Sequence, residues 1–289
     1  MRSACGQFVN QRLFFCLLAI SFLPSIANAV SEEIAAQFAG RVIFVPVRLN
    51  GHGPFSFVLD TGATETVLTP STATATGAKI KAGPGAQKKS MVESLFVGSV
   101  GITNLPVFVF DPPQALSLRL DEGIDYGGIL GYTFLSHFVT TIDYTRRVVR
   151  FDPPSPRPRP EATDSFTIPF RLVDRLIHVS ATLNQRRKAT LLLDTGSAET
   201  LITPVLAESL NLPTTPLPSY PGARFATLDQ VALGDATVNR ISAIVHAVPG
   251  ERGATSYEGI LGYPFLSQFV VTVRYDNQTI RLKKANAQR

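Results

Sequence analysis

Two aspartates of this chain sit in nearly identical surroundings. The first lies in Phe57-Val58-Leu59-Asp60-Thr61-Gly62-Ala63 and the second in Leu191-Leu192-Leu193-Asp194-Thr195-Gly196-Ser197. Two carboxylates held close together cannot both ionise comfortably, so they share one proton and their pKa values separate. One is then a base while the other is an acid at the same pH. Activating a water against an amide, without metal or covalent intermediate, needs that combination. Glycine after Asp-Thr permits a tight turn whose backbone amides can point at the carboxylate. The hydroxyls of Thr61 and Thr195 can hydrogen-bond across a twofold axis and fix the spacing of the pair.

A duplicated unit would supply such an axis, and the chain is duplicated. Both copies continue with a glutamate (Glu65, Glu199) and reach a proline (Pro70, Pro204) at the offset of the two aspartates. A second block, Gly128-Ile129-Leu130-Gly131-Tyr132, returns as Gly259-Ile260-Leu261-Gly262-Tyr263. It has no polar side chain before the tyrosine, so its purpose must be packing or close backbone approach. Alternating segments precede the aspartates and follow the second blocks, at Thr140 to Phe151 and Val271 to Leu282. Period-2 alternation predicts strands over Val42 to Leu49 and Ile177 to Leu183, and short helices follow at Ser71 to Ala75 and Val205 to Leu210. Two units of about 125 residues match common domain size. They divide as 30–152 and 166–289, with a proline-rich linker at 153–165 whose prolines forbid helix and sheet.

Asp-Thr-Gly after an apolar strand, followed much later by Ile-Leu-Gly, resembles the pepsin and retropepsin superfamily of aspartic proteases, here in a single-chain duplicated form. The resemblance covers nearly all of the chain after its leader. It implies a mostly β fold with few short helices, in which two homologous lobes of closed β-barrel type surround a central cleft. In each lobe the Ile-Leu-Gly strand would thread beside the Asp-Thr-Gly turn. It further implies that Asp60 and Asp194 are the catalytic pair, Thr61 and Thr195 the interlocking threonines, and Gly62 and Gly196 the turn glycines, with Ala63 and Ser197 completing the turns. The reaction would be endopeptidase cleavage of a polypeptide by an activated water, with no cofactor and no metal. A hairpin flap would close over substrate. Pro84-Gly85 and Tyr220-Pro221-Gly222 have the turn chemistry and spacing for it. Ser197 has Ala63 as its counterpart, and its hydroxyl is expected to donate to Asp194 and favour the charged form there. Two other readings stay open: a non-catalytic peptide-binding protein that kept the fold, and a homodimer that pairs Asp60 with Asp60.

Composition narrows the field. The chain has 289 residues, 45% hydrophobic and 17% charged, with 21 glycines and 21 prolines, which favours a globular strand-and-turn fold. Arg2 and Arg12, the apolar run Leu13 to Ala27 and the small residues Ala27-Asn28-Ala29 predict an export signal over residues 1–29. That run is shorter than the roughly 20 residues of a membrane span. The expected mature protein is therefore periplasmic or secreted, not membrane-inserted, and monomeric as a pseudo-dimer. Cys5 and Cys16 both lie in the leader. The formal charge of +5, which falls further once Arg2 and Arg12 leave, is too weak to argue for nucleic acid. Arg186-Arg187-Lys188 is expected in a hairpin turn, Glu65 and Glu199 at the surface, and the four histidines form no zinc pattern.

Overall fold

The computed structural model describes residues 24–27, 32–81, 88–110, 124, 126–155, 164–248 and 256–285. Along Val42–Leu49, Val45, Val47 and Leu49 are buried while Pro46 and Arg48 face out, the alternation of a strand with one face on a core. This strand pairs antiparallel with His52–Leu59, and its counterpart Leu176–Leu183 pairs with Arg187–Leu193. In the N-terminal lobe the strands run 42–49, 52–59, 126–130, 67–68, 100–109 and 88–97, and the last returns to the first through Arg48↔Phe96 and Leu49↔Leu95. In the C-terminal lobe the order 176–183, 187–193, 259–261, 200–202, 236–245, 224–233 closes through Thr182↔Ala232 and Leu183↔Val231. Each lobe is thus a closed six-stranded barrel, which leaves no open edge along those six strands. Among the described residues four short helices accompany them. Pro70–Ala75 and Pro204–Ser209 start alike, with Thr69 and Thr203 as N-caps accepting from the backbone N–H groups of Thr72 and Leu206, both at 3.2 Å, and proline next.

A third sheet joins the lobes. Its order is 165–169, 279–284, 269–274, 139–143, 148–152, 33–35. The seam is the antiparallel pair Val139–Asp143 and Phe269–Arg274, centred on Thr141↔Thr272, whose hydroxyls lie 3.1 Å apart. These two threonines are 131 residues apart, the offset of the two Ile-Leu-Gly blocks, so the pseudo-twofold axis passes between them. The inward face of this sheet carries Ile142, Val149, Phe151, Val271, Val273, Ile280 and Leu282, all fully buried. Each such side chain contributes about 1.5–3 kcal/mol on burial, so the lobes share a core across this sheet.

Glu33–Ala35 and Gln37–Ala39, inside the expected first unit, are strands of the body, pairing with Val148–Asp152 and Val42–Leu49. Other details differ from expectation. Ser165, the last residue of the expected linker, already pairs with Lys283. Arg187 and Lys188 open a strand and only Arg186 stays in the turn, because extending the pairing to Leu183↔Arg187 shortens the loop to three residues. Ser25–Ala27, near the end of the expected leader, adds antiparallel to Gly101–Thr103. Residues 1–23, Pro84 and Gly85 lie outside the described residues.

Candidate active site

Each Asp-Thr-Gly turn is built by the strand before it and the Ile-Leu-Gly strand beside it. Phe57, Val58 and Leu59 run parallel to Gly128, Ile129 and Leu130, and Leu191, Leu192 and Leu193 run parallel to Gly259, Ile260 and Leu261. The backbone N–H groups of Asp60 and Asp194 donate to Leu130 O and Leu261 O, each at 3.1 Å. Beyond them, Tyr132 N donates to Ala63 O and Tyr263 N to Ser197 O, each at 2.9 Å. A Cβ on Gly131 would lie 2.1 Å from Glu65 O, and one on Gly262 would lie 2.2 Å from Glu199 O. Close backbone approach is therefore what these glycines supply.

The two turns interlock. Thr61 Oγ1 donates to Leu193 O at 2.9 Å, and Thr195 Oγ1 donates to Leu59 O at 2.7 Å. Each hydroxyl also accepts the backbone N–H of the other threonine at 3.0 Å. Both threonines are 2% exposed, so this four-bond exchange is shielded from water and fixes one turn to the other. Asp60 and Asp194 consequently face each other within one chain. A Cβ on Gly62 would lie 2.6 Å from Asp194 Cγ, and one on Gly196 would lie 2.6 Å from Asp60 Cγ. Each turn glycine thus forms the floor under the opposite carboxylate.

Hydrogen bonding and burial then act on the pair. Gly62 N donates to Asp60 Oδ1 at 2.7 Å, while Gly196 N and Ser197 N donate to Asp194 Oδ1 at 2.8 and 3.1 Å. Burial, then the charge of Asp194, pushes Asp60 well above the usual carboxylate range. Burial also raises Asp194, against the opposing pull of a hydrogen bond from Asp60 and of the Gly196 and Ser197 amides. The Ser197 hydroxyl plays a different part from the one expected of it. It donates to Glu199 O at 2.9 Å, because the turn bends it away from the carboxylate and towards its own backbone.

The glutamates after the turns are a further correction. Glu65 and Glu199 are half-buried and tie the lobes together. Arg41 of the N-terminal lobe bonds Glu199 of the other at 3.3 Å, and Arg175 of the C-terminal lobe bonds Glu65. Each guanidinium also stacks 5.8 Å from the ring centroid of a tyrosine in the opposite lobe, Tyr263 for Arg41 and Tyr132 for Arg175. Those tyrosines meet Tyr144 and Tyr275 edge-on at 5.7 and 5.4 Å. Tyr126 and Tyr257, which precede the two glycine blocks at matching positions, feel the charges of Asp60 and Asp194 respectively. Six of the seven tyrosines are thus three symmetric pairs around the carboxylates. Residue-by-residue alignment of the copies carries that signal, since Tyr126 and Tyr257 stand two residues before Gly128 and Gly259.

Tyr220, Pro221 and Gly222 form a tight turn in which Ala223 N donates to Tyr220 O at 3.0 Å and Gly222 takes a φ of +83°. Gly222 borders a cavity of about 340 Å³ with Pro204, Ala207, Leu212 and Val245, so on this side the turn faces the helix Pro204–Ser209. Among the described residues no cluster of three or more His, Cys, Asp or Glu side chains could hold a metal ion, and no helix is long and apolar enough to cross a membrane.

Two closed barrels meeting at paired Asp-Thr-Gly turns define the acid-protease architecture, and comparison with known proteins agrees. A profile of the aspartyl protease family matches residues 45–134 and 179–265, one match per lobe, and the chain belongs to that family. The crystal structure of an aspartic proteinase from Irpex lacteus superposes with a TM-score of 0.55, covering 89% of this chain and 98% of that one. At 13% identity this likeness shows the fold alone. No curated protein sequence matches the chain significantly.

Proposed function

We propose that the chain is a single-chain aspartic endopeptidase in which Asp60 and Asp194 form one catalytic dyad. The observation that carries the reading is the seating of each carboxylate on the other lobe's turn glycine, which brings two half-buried acids to one point. Asp60 holds the shared proton, in line with Asp194 accepting two backbone N–H bonds where Asp60 accepts one, and Asp194 is the ionised partner. A water between them gives a proton to Asp194 as its oxygen attacks the scissile carbonyl carbon. Asp60 gives its proton to the carbonyl oxygen, producing a gem-diol. Collapse then moves the proton on Asp194 to the leaving amide nitrogen while one diol O–H returns its proton to Asp60, which restores the starting state. The titration belongs to the pair, so a pH profile reports both groups together.

The buried Tyr126 hydroxyl has no hydrogen-bond partner among the described residues. One chain supplies both halves, so a monomer suffices. The leader reading makes the enzyme an exported one. Incubating the full chain with a peptide library in H₂¹⁸O from pH 3 to 8 tests the reading. New C-termini carrying solvent oxygen are expected; folded protein that binds peptides and cuts none would favour a binding protein.

A further inference from the structure

Beside the two Asp-Thr-Gly turns lie small apolar clusters separate from the main core, and they are not equivalent. On the N-terminal side Ala39, Val42, Phe44 and Val58 pack with Ala198, which comes from the turn of the C-terminal lobe, and are flanked by Ile124 and Tyr126. In the C-terminal lobe Leu192, Val248, Tyr257 and Ile260 are packed together, flanked by Leu176 and Leu201. The repeat puts Leu176 in the place of Val42, Leu192 in that of Val58 and Tyr257 in that of Tyr126. The place of Phe44, by the same alignment, belongs to His178. His178 is only 4% exposed, and its ring stands edge-to-face on Tyr257 with centroids 5.5 Å apart and planes at 85°. A titratable ring thus props the tyrosine beside Asp194, where a phenylalanine occupies the matching position near Asp60.

We propose that His178 is a positioning residue for the C-terminal wall of the cleft: its neutral imidazole holds the Tyr257 ring beside Asp194, and its protonation loosens that wall alone. The proposal rests on the dyad reading above. The groups around His178 all bear on it. Arg171 is its cross-strand partner on one side, with Asp174 in the adjoining turn, and Leu192 is its partner on the other. Tyr257 covers it, and the neighbouring Glu258 is tied to Arg187. Burial and Arg171 lower the His178 pKa, with Asp174 opposing, so the neutral form is the one this site is built for. An imidazolium there would be a buried cation beside a guanidinium, and turning outward to water removes the edge-to-face support from Tyr257.

The test compares wild type with His178→Phe, which makes the wall like its partner, and His178→Gln, which is neutral at every pH. KM and kcat are measured separately on one peptide from pH 4.5 to 7.5, and the Tyr257 ring resonances of the full chain are followed by NMR over the same range. In wild type KM rises by about tenfold at the acid end, equivalent to a wall weakened by one pKa unit of interaction. In both variants KM stays flat, while the kcat profile set by the dyad is common to all three. The Tyr257 resonances shift in wild type with the midpoint of His178, whether or not the chain cleaves anything, which separates this inference from the proposed activity. Tyr257 resonances indifferent to His178 titration, or superimposable KM profiles in the three proteins, would overturn it.

Discussion

Aligned on their repeat, the two lobes share most of their bonds at the turns, apart from the extra amide bond that Ser197 gives Asp194 and the Ser197 hydroxyl bond, and part company one strand away. Gly62 N reaches Asp60 Oδ1 at 2.7 Å and Gly196 N reaches Asp194 Oδ1 at 2.8 Å. The threonine exchange, the aspartate amides and the Arg–Glu–Tyr clasps are equally paired. On the flanking walls Phe44 faces His178, and after the turn Ala63 faces Ser197. The difference shows which contacts serve both halves at once. A turn must fit its partner across the axis, so a change on one side is felt on the other. The Tyr257 wall packs within its own lobe while the Phe44 wall also packs with Ala198 of the other, so the two walls answer to different neighbours and have diverged.

Substituting alanine for either turn glycine should break the matched region most severely. Gly62→Ala and Gly196→Ala each place a methyl 2.6 Å from the opposite carboxylate carbon, and a displacement of that order costs on the order of 100-fold or more in kcat. Steady-state kinetics on the two variants should show equal losses; a large inequality would mean that the turns are not equivalent. Thr61→Val and Thr195→Val come next. Each leaves a buried carbonyl and a buried amide without their partner, at about 1–3 kcal/mol apiece, measurable by urea denaturation and again equal between lobes.

The dyad also gives stability a pH dependence of known sign. Both carboxyls bind their protons more tightly in the folded chain than in the unfolded one, so their contribution is present in acid and is lost as pH rises through the raised values. Asp60→Asn removes one of the two facing carboxyls and should raise Tm relative to wild type at pH 8, with a smaller gain at pH 4. Charge exchange sharpens the comparison further. Arg41→Glu should cost about 0.2–1 kcal/mol, as expected for a half-exposed pair, and adding Glu199→Arg should recover it. Ser197→Ala is the mildest. Its hydroxyl serves Glu199 O, so the acid limb of the pH profile should not move.

Much of the matched region is legible in the residues themselves. Asp-Thr-Gly after an apolar strand and the returning Ile-Leu-Gly name both the turns and the strands that frame them, since close approach demands glycine and parallel burial demands aliphatics. The partners of Glu65 and Glu199 are not legible, because Arg41 and Glu199 lie 158 residues apart and meet only once the lobes dock. The direction of the Ser197 hydroxyl is not legible for a related reason, since residue type says nothing of the direction the turn gives a side chain. His178 reads as a scattered histidine until the copies are aligned and its strand pairing is known.

The central claim is that one dyad is shared between two lobes of one chain. Turnover of a defined peptide by wild type, Asp60→Asn and Asp194→Asn, each verified as a monomer by sedimentation, tests it most directly. The account predicts activity in wild type alone and none in either variant. Retained activity in one variant, or activity that appears only in a dimer, would contradict it.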